Sequence, residues 1–157
     1  MKEHTLDIMP LTAADLPSVK AVIDASALFP SDLLDEMTAP YLRDPACPDI
    51  WLAGHVSGAQ VVAYLAPERM ADAVWNLLLI AVHPGLQGQG HGSAMLSHIE
   101  ALLARRGQRM LIVETSGLPD FAGARAFYAA RGYGEEGRIR DFYQPGEDKV
   151  IFAKRVT

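Results

Sequence analysis

LLLIAVHPGLQGQGHGSAMLSHIEALLARRG, residues 77–107, joins an unbroken apolar run to a helical pattern through glycines at 88, 90 and 92. The run reads as a central strand covered on both faces. Beyond it Met95, Leu96, Ile99, Leu102 and Leu103 recur by threes and fours, as on the buried stripe of a helix, and Gly107 is its expected stop. A strand ending in a glycine turn that opens a helix is a general anion-binding device. The first amides of a helix have no intrahelical acceptor, and the helix dipole adds positive charge there. Glycine permits unusual dihedrals and removes the Cβ atoms that would keep a phosphate away from those amides. A tight turn with no ligand would also account for glycines.

Working outward, HTLDIMPL reads as an opening strand, and Asp15 as the cap of a helix with Pro17 in its first turn. PSDLLDEM begins a second short helix, with Ser31 as N-cap and Pro40 beyond its end. IWLAGHV and QVVAYLA form strands joined through Ser57-Gly58. After residue 107, QRMLIVETS is another covered strand and AGARAFYAARGY a short helix closed by Gly132. RIRDFY and KVIFAKRV pair around Pro145-Gly146. Strands alternate with helices only in the second half. The expected fold is therefore α/β (α+β): a mixed, mainly antiparallel central sheet flanked by helices, with one parallel crossover, as a single domain over 1–157.

The chain has 157 residues, half of them hydrophobic, and a net charge of −5. That charge argues against nucleic acid or an anionic membrane as partner, because no basic excess exists to release counterions. No apolar run approaches the ~20 residues of a membrane span, and the start lacks a secretory pattern. Cys47 is the one cysteine, so no internal disulfide forms. These features lead to the expectation of a cytoplasmic protein.

Two other phosphate loops compete with the open reading. A P-loop needs a lysine after its glycines, and none lies between Lys20 and Lys149. A dinucleotide fingerprint would use Gly88 and Gly90, but Ser93 stands in place of its third glycine and several elements precede it. Glu114, about 24 residues beyond Gly90, keeps that dinucleotide-binding reading open.

Gln87-x-x-Gly90-x-Gly92, after IAVHP and before an amphipathic helix, resembles motif A of the GNAT superfamily of N-acetyltransferases. ARAFYAARGY resembles that family's second signature through Ala124, Phe127, Tyr128, Gly132 and Tyr133. The resemblance covers essentially the whole chain. It implies acetyl-CoA as co-substrate, with no metal, and a pyrophosphate on Gln87, Gly88, Gln89, Gly90, His91, Gly92 and Ser93. It further implies a bulged strand at Ile80, Ala81 and Val82, whose exposed backbone receives the pantetheine arm as an added strand would. Dimers are common among relatives, so a homodimer is part of the expectation.

Acetyl transfer to an amine sets three tasks. An amine of lysine-like pKa, ~10.4, is protonated at neutral pH, and freeing its lone pair costs about 4–5 kcal/mol, so a base helps. The tetrahedral oxyanion needs preplaced donors, for which a backbone N–H near Ala81 or Val82 is the candidate. The departing thiolate benefits from an acid. The resemblance implies Tyr128 as that acid; core packing of the same ring is the other reading. Glu114, closing an apolar strand, is the candidate base, its pKa raised if buried; a paired or solvated glutamate is the alternative. Asn76 sits where some relatives place an acid, and an amide is no base. Many relatives carry asparagine seven residues before the tyrosine, where this chain has Phe121.

The family builds its acceptor pocket from the loop between the first two helices and from the last hairpin. Here these are ALFPSD and RDFYQPGEDK, giving Phe29, Asp141, Phe142 and Tyr143 as acceptor-binding candidates. Acidic and aromatic groups suit a cationic amine, and an ordinary exposed hairpin would look the same. The acceptor, a small molecule or a peptide, is not legible. His91 and His98 share a helix face roughly 10 Å apart, too far to hold one metal ion. The expected activity is N-acetyl transfer from acetyl-CoA to a primary amine in a ternary complex; a non-catalytic acyl-CoA-binding module is the alternative.

Overall fold

In chain order the elements are β1 (Asp7–Pro10), α1 (Leu16–Ser26), α2 (Leu33–Arg43), β2 (Ile50–His55), β3 (Ala59–Pro67), β4 (Val74–Val82), α3 (His91–Arg105), β5 (Met110–Ser116), α4 (Ala122–Ala130), β6 (Gly134–Gln144) and β7 (Glu147–Arg155). They come from a computed structural model that describes residues 5–157, so the expected involvement of His4 in the first strand lies outside the described residues. The strands form one sheet of order β1-β2-β3-β4-β5-β7-β6. β4 and β5 run parallel across α3, whereas β1–β2, β2–β3, β5–β7 and β6–β7 are antiparallel. The expected mixed, mainly antiparallel sheet with one crossover is found.

The chain divides into two compact units, and the boundary falls within β4. The first holds the described residues through Ala66 together with Leu79–Leu102. Its core gathers Val19, Val22 and Ile23 of α1, Leu34 of α2, Trp51 and Ala53 of β2, Val62 of β3 and Ala81 of β4. Trp51 stacks on Tyr64 with ring centroids 4.2 Å apart, and Tyr64 donates its hydroxyl to Asp49 Oδ2 at 2.9 Å. On α3, Met95, Leu96 and Ile99 are buried, as the helical spacing requires.

Two local expectations are corrected. Asp15 does not cap α1 with its side chain: its carboxylate turns back to accept from Thr12 N at 2.8 Å and Thr12 Oγ1 at 3.1 Å. The short helix expected to end before Pro40 continues through it to Arg43 and starts from Asp32, not Ser31. Proline removes one intrahelical donor, but Leu34, Met37 and Tyr41 lie along one stripe packed on the core. Burial of that stripe outweighs one missing bond.

The second unit holds Pro67–Leu78 and Leu103–Thr157. The β4–β5 ladder runs from Val74–Met110 to Leu77–Val113, and β5 pairs with β7 along its whole length. Leu77, Leu111, Val113, Val150 and Phe152 are buried along these strands. α3 ends as its glycine predicts: Gly107 takes φ 70°, and the amides of Gly107 and Gln108 donate to the Ala104 and Leu103 carbonyls at 3.0 and 2.9 Å.

In β2, a Cβ at Gly54 would lie 2.9 Å from both Leu6 Cδ1 and Val61 Cβ. The Val61 atom is fixed to the β3 backbone and cannot rotate away. Gly54→Ala is expected to destabilise the protein by roughly 1–3 kcal/mol; an unchanged denaturation midpoint would show that β2 and β3 part without cost.

Candidate active site

The loop after β4 is built by the first unit alone. The His83 amide donates to Gln60 O at 2.9 Å, and its ring Nδ1 accepts from the Gly85 amide at 3.1 Å, which makes the ring a structural partner of a short 3₁₀ turn over Pro84–Leu86. Gln87 reaches back to donate its side-chain amide to Val82 O at 3.4 Å. Gly88 and Gly90 then take φ 77° and 81°, the left-handed region that a side chain strains to enter. A Cβ at either would meet no protein atom within 4 Å. The protein's own packing therefore does not demand these glycines; the backbone path does, and the space above it is open.

α3 starts at His91, and its first i→i−4 bond runs from Ala94 N–H to Gly90 O at 2.9 Å. The amides of residues 91 to 93 thus precede the hydrogen-bond ladder of a 15-residue helix. No acidic residue occupies that first turn, so nothing cancels the positive end of the dipole. Residues 87 to 90 are exposed, whereas the His91 ring is buried, and its Nε2 finds no hydrogen-bond partner among the described residues. His91 therefore faces the protein with its ring and the loop with its amide. Ile80, Ala81 and Val82 lie beyond the last β4–β5 rung at Leu77.

Other candidates belong to the second unit. Tyr128 of α4 is 6% exposed, ringed edge-on by Phe127 and Tyr133 at 5.3 and 5.8 Å and tilted against Phe152 at 5.9 Å. Burial in that aromatic nest pushes its phenol up to about 12. Glu114 is neither deeply buried nor alone: Oε2 pairs with Lys149 Nζ at 3.0 Å, and 29% of its side chain is exposed. The carboxylate thus stands at the end of β5 against an ammonium of β7. Asp141 uses its carboxylate to accept from Gly146 N at 2.8 Å, Phe142 and Tyr143 are half-exposed, and Phe29 packs against the core of the first unit.

Three side chains escape a reading of the sequence: Arg125, Glu68 and Lys149. Arg125 Nη1 donates to the Ser116 and Leu118 carbonyls at 2.7 and 2.9 Å, tying α4 to the turn after β5. Asn76, 8% exposed, donates Nδ2 to Glu68 Oε1 at 3.0 Å, which brings a carboxylate to the strand position that itself has only an amide. Lys149 is the third, and its only signal is hairpin register. Phe121 ends a 3₁₀ turn ahead of α4, 40% exposed.

A mainly antiparallel sheet with one parallel crossover, opened by left-handed glycines onto a helix end, is the framework of an acetyltransferase. A family model described as "Acetyltransferase (GNAT) domain" matches residues 48–135, and the chain belongs to that family of acyltransferases. Among solved structures, a GNAT-family protein from Desulfovibrio desulfuricans is similar at TM-score 0.89 and 26% identity, over 98% of this chain and 100% of that one. The ribosomal-protein-S18-alanine N-acetyltransferase of Escherichia coli is similar at TM-score 0.79 and 24% identity, over 98% and 95% of the two chains. An acetyltransferase structure from Salmonella typhimurium with acetyl-CoA follows at TM-score 0.75 and 15% identity, over 98% and 95%. No curated protein matches the sequence. Among the described residues no helix is long and apolar enough to cross a membrane.

An unfolded tyrosine titrates near 10, whereas folded Tyr128 holds its proton to about 12. Between those values the folded state binds the extra proton, so stability falls as pH rises through this window. Tyr128→Phe should remove roughly 2–3 kcal/mol of the alkaline loss by pH 12. Urea unfolding of both proteins at pH 8 and at high pH tests this; identical pH slopes would overturn it.

Proposed function

We propose that the protein transfers the acetyl group of acetyl-CoA to a primary amine by direct attack within a ternary complex. The observation that carries this is the loop itself: left-handed Gly88 and Gly90 opening a helix whose ladder begins at Ala94, in a chain of the GNAT family. No lysine lies between Lys20 and Lys149, so a diphosphate would be gripped by main-chain dipoles rather than by ammonium groups. Gln87 to Ser93 supply that grip, and the main chain of Ile80, Ala81 and Val82 pairs with the pantetheine arm. The Salmonella structure holds acetyl-CoA as its cofactor, in keeping with this reading.

In the reaction the amine nitrogen attacks the thioester carbonyl carbon, the C–S bond breaks, and coenzyme A leaves as a thiolate that takes up a proton. Glu114, as a carboxylate, accepts the acceptor's ammonium proton directly or through water. An amide N–H at Ala81 or Val82 stabilises the oxyanion. Tyr128 donates to the leaving sulfur. A phenol at about 12 against a thiol near 8.5 leaves a gap of about 3.5 units, roughly 5 kcal/mol. Complete proton transfer from the phenol is therefore uphill even to the departed thiolate, so Tyr128 acts by a hydrogen bond that strengthens as the C–S bond opens. The thiolate takes up the proton that the attacking nitrogen loses as it becomes the amide. The E. coli relative acts on a ribosomal-protein alanine, which brings a protein N-terminus among the acceptors to be tried, beside small amines.

Release of coenzyme A thiol with a panel of small amines and peptide N-termini tests the activity, and no release with any of them, alongside retained coenzyme A binding, would reduce the protein to a binding module. Tyr128→Phe is expected to lower kcat by about 10²–10⁴-fold with little change in coenzyme A affinity. Gly90→Val should raise the coenzyme A Kd at least about tenfold, or 1.4 kcal/mol, by calorimetry; an unaltered Kd would refute the diphosphate site.

A further inference from the structure

Lys149 stands between two groups. Its Nζ lies 3.0 Å from Glu114 Oε2 and 3.8 Å from the centroid of the Phe142 ring. The Phe142 ring meets Tyr143 edge-on at 5.1 Å. The Tyr143 phenol is raised by burial first and then by the Glu114 and Glu147 carboxylates, which places that hydroxyl in the same field. A carboxylate and an aromatic face around one ammonium make a cation clasp.

The hairpin is shaped to present it. Regular β6–β7 pairing stops at Ile139–Lys149 and resumes at Gln144–Glu147, so residues 140 to 143 bulge opposite Asp148. Asp141 takes φ 55°, an uncommon conformation for a residue with a side chain, held when its surroundings over-determine it. They do so here. Asp148 Oδ1 accepts from the Asp141 amide at 3.0 Å, and Asp148 Oδ2 accepts from Arg138 Nη1 at 2.8 Å. The bulge aims Phe142 over the ammonium while leaving Phe142 and Tyr143 48% and 46% exposed. Only 13% of the Lys149 side chain is exposed. A strut would need no ring half open to solvent; a receptor for an incoming cation would.

We propose that the Glu114–Phe142–Tyr143 clasp recognises the ammonium of the acceptor, and that Lys149 is its internal occupant, displaced when a cationic acceptor enters. This rests on the N-acetyltransferase reading for the identity of the ligand. One carboxylate neutralises one ammonium, and two cations cannot share the clasp without mutual repulsion. Lysine suits such an exchange, being a point charge on a flexible stem. The acceptor class that follows is a compact cationic amine, selected over neutral amines by charge and ring face together.

Tetramethylammonium chloride, with sodium chloride at equal ionic strength as control, probes the clasp without serving as substrate. Lys149→Met vacates the charge while keeping most of the stem. Its melting temperature is expected to rise saturably with tetramethylammonium, with an apparent affinity at least about fivefold tighter than the wild type shows; equal, non-saturating responses in both would overturn the proposal. In the wild-type protein, labelling of Lys149 by an amine-reactive ester, read by peptide mass spectrometry, should accelerate several-fold with tetramethylammonium, and an unchanged rate would count equally against it. Thiol release in the amine panel without any tetramethylammonium response sinks the clasp alone. A tetramethylammonium response without thiol release sinks the acetyl transfer and leaves the clasp standing.

Discussion

Main-chain N–H groups at the entrance of α3, presented by a backbone that only glycine follows easily, are the constraint on which the proposed chemistry depends. The left-handed values at Gly88 and Gly90 carry the chain into α3, whose ladder begins at Ala94. The turn is anchored behind by His83 and Gln87, which spend their side chains on local backbone groups. A helix of 15 residues gives those amides a full dipole behind them. The burial of Met95, Leu96 and Ile99 fixes the helix, so under the proposed reading cofactor affinity and core packing in the first unit are one energetic matter.

The second unit holds the side-chain candidates, Tyr128 and Glu114. Tyr128 owes its proton to burial among Phe127, Tyr133 and Phe152, and the same burial that keeps it neutral makes it a reluctant acid. Glu114 is placed by β5 and balanced by Lys149 from β7. A paired, part-exposed carboxylate adds little to folding, and a buried phenol costs stability once the solution turns strongly alkaline.

What could be read in advance divides along physical lines. Helical spacing, apolar runs and glycine stops report local burial, and they locate α3, α4, β4, β5 and the final hairpin close to where the structure has them. The glycine turn into α3 was legible because its determinants are consecutive residues. Pro40 misleads because a local breaker is overruled by the stripe of Leu34, Met37 and Tyr41, whose value depends on what lies against it. The Asp15 cap misleads because Thr12 competes for the same carboxylate. The pairing of Glu114 with Lys149 and of Asn76 with Glu68 depends on strand register and loop path, which composition does not encode. The left-handed Asp141 is invisible for the same reason, since only the hydrogen bonds around it make that conformation affordable.

The stretch without lysine from Lys20 to Lys149 has a chemical corollary. A thioester slowly acylates amines that linger near it, and an enzyme that stores one risks marking itself. Here the turn that would hold the carrier, the helix behind it and the helix bearing Tyr128 offer no ε-amine to be modified. Grip through peptide dipoles thus leaves the storage site inert toward its own reagent, and Lys149, folded onto a carboxylate, has its nucleophile sheathed as a cation.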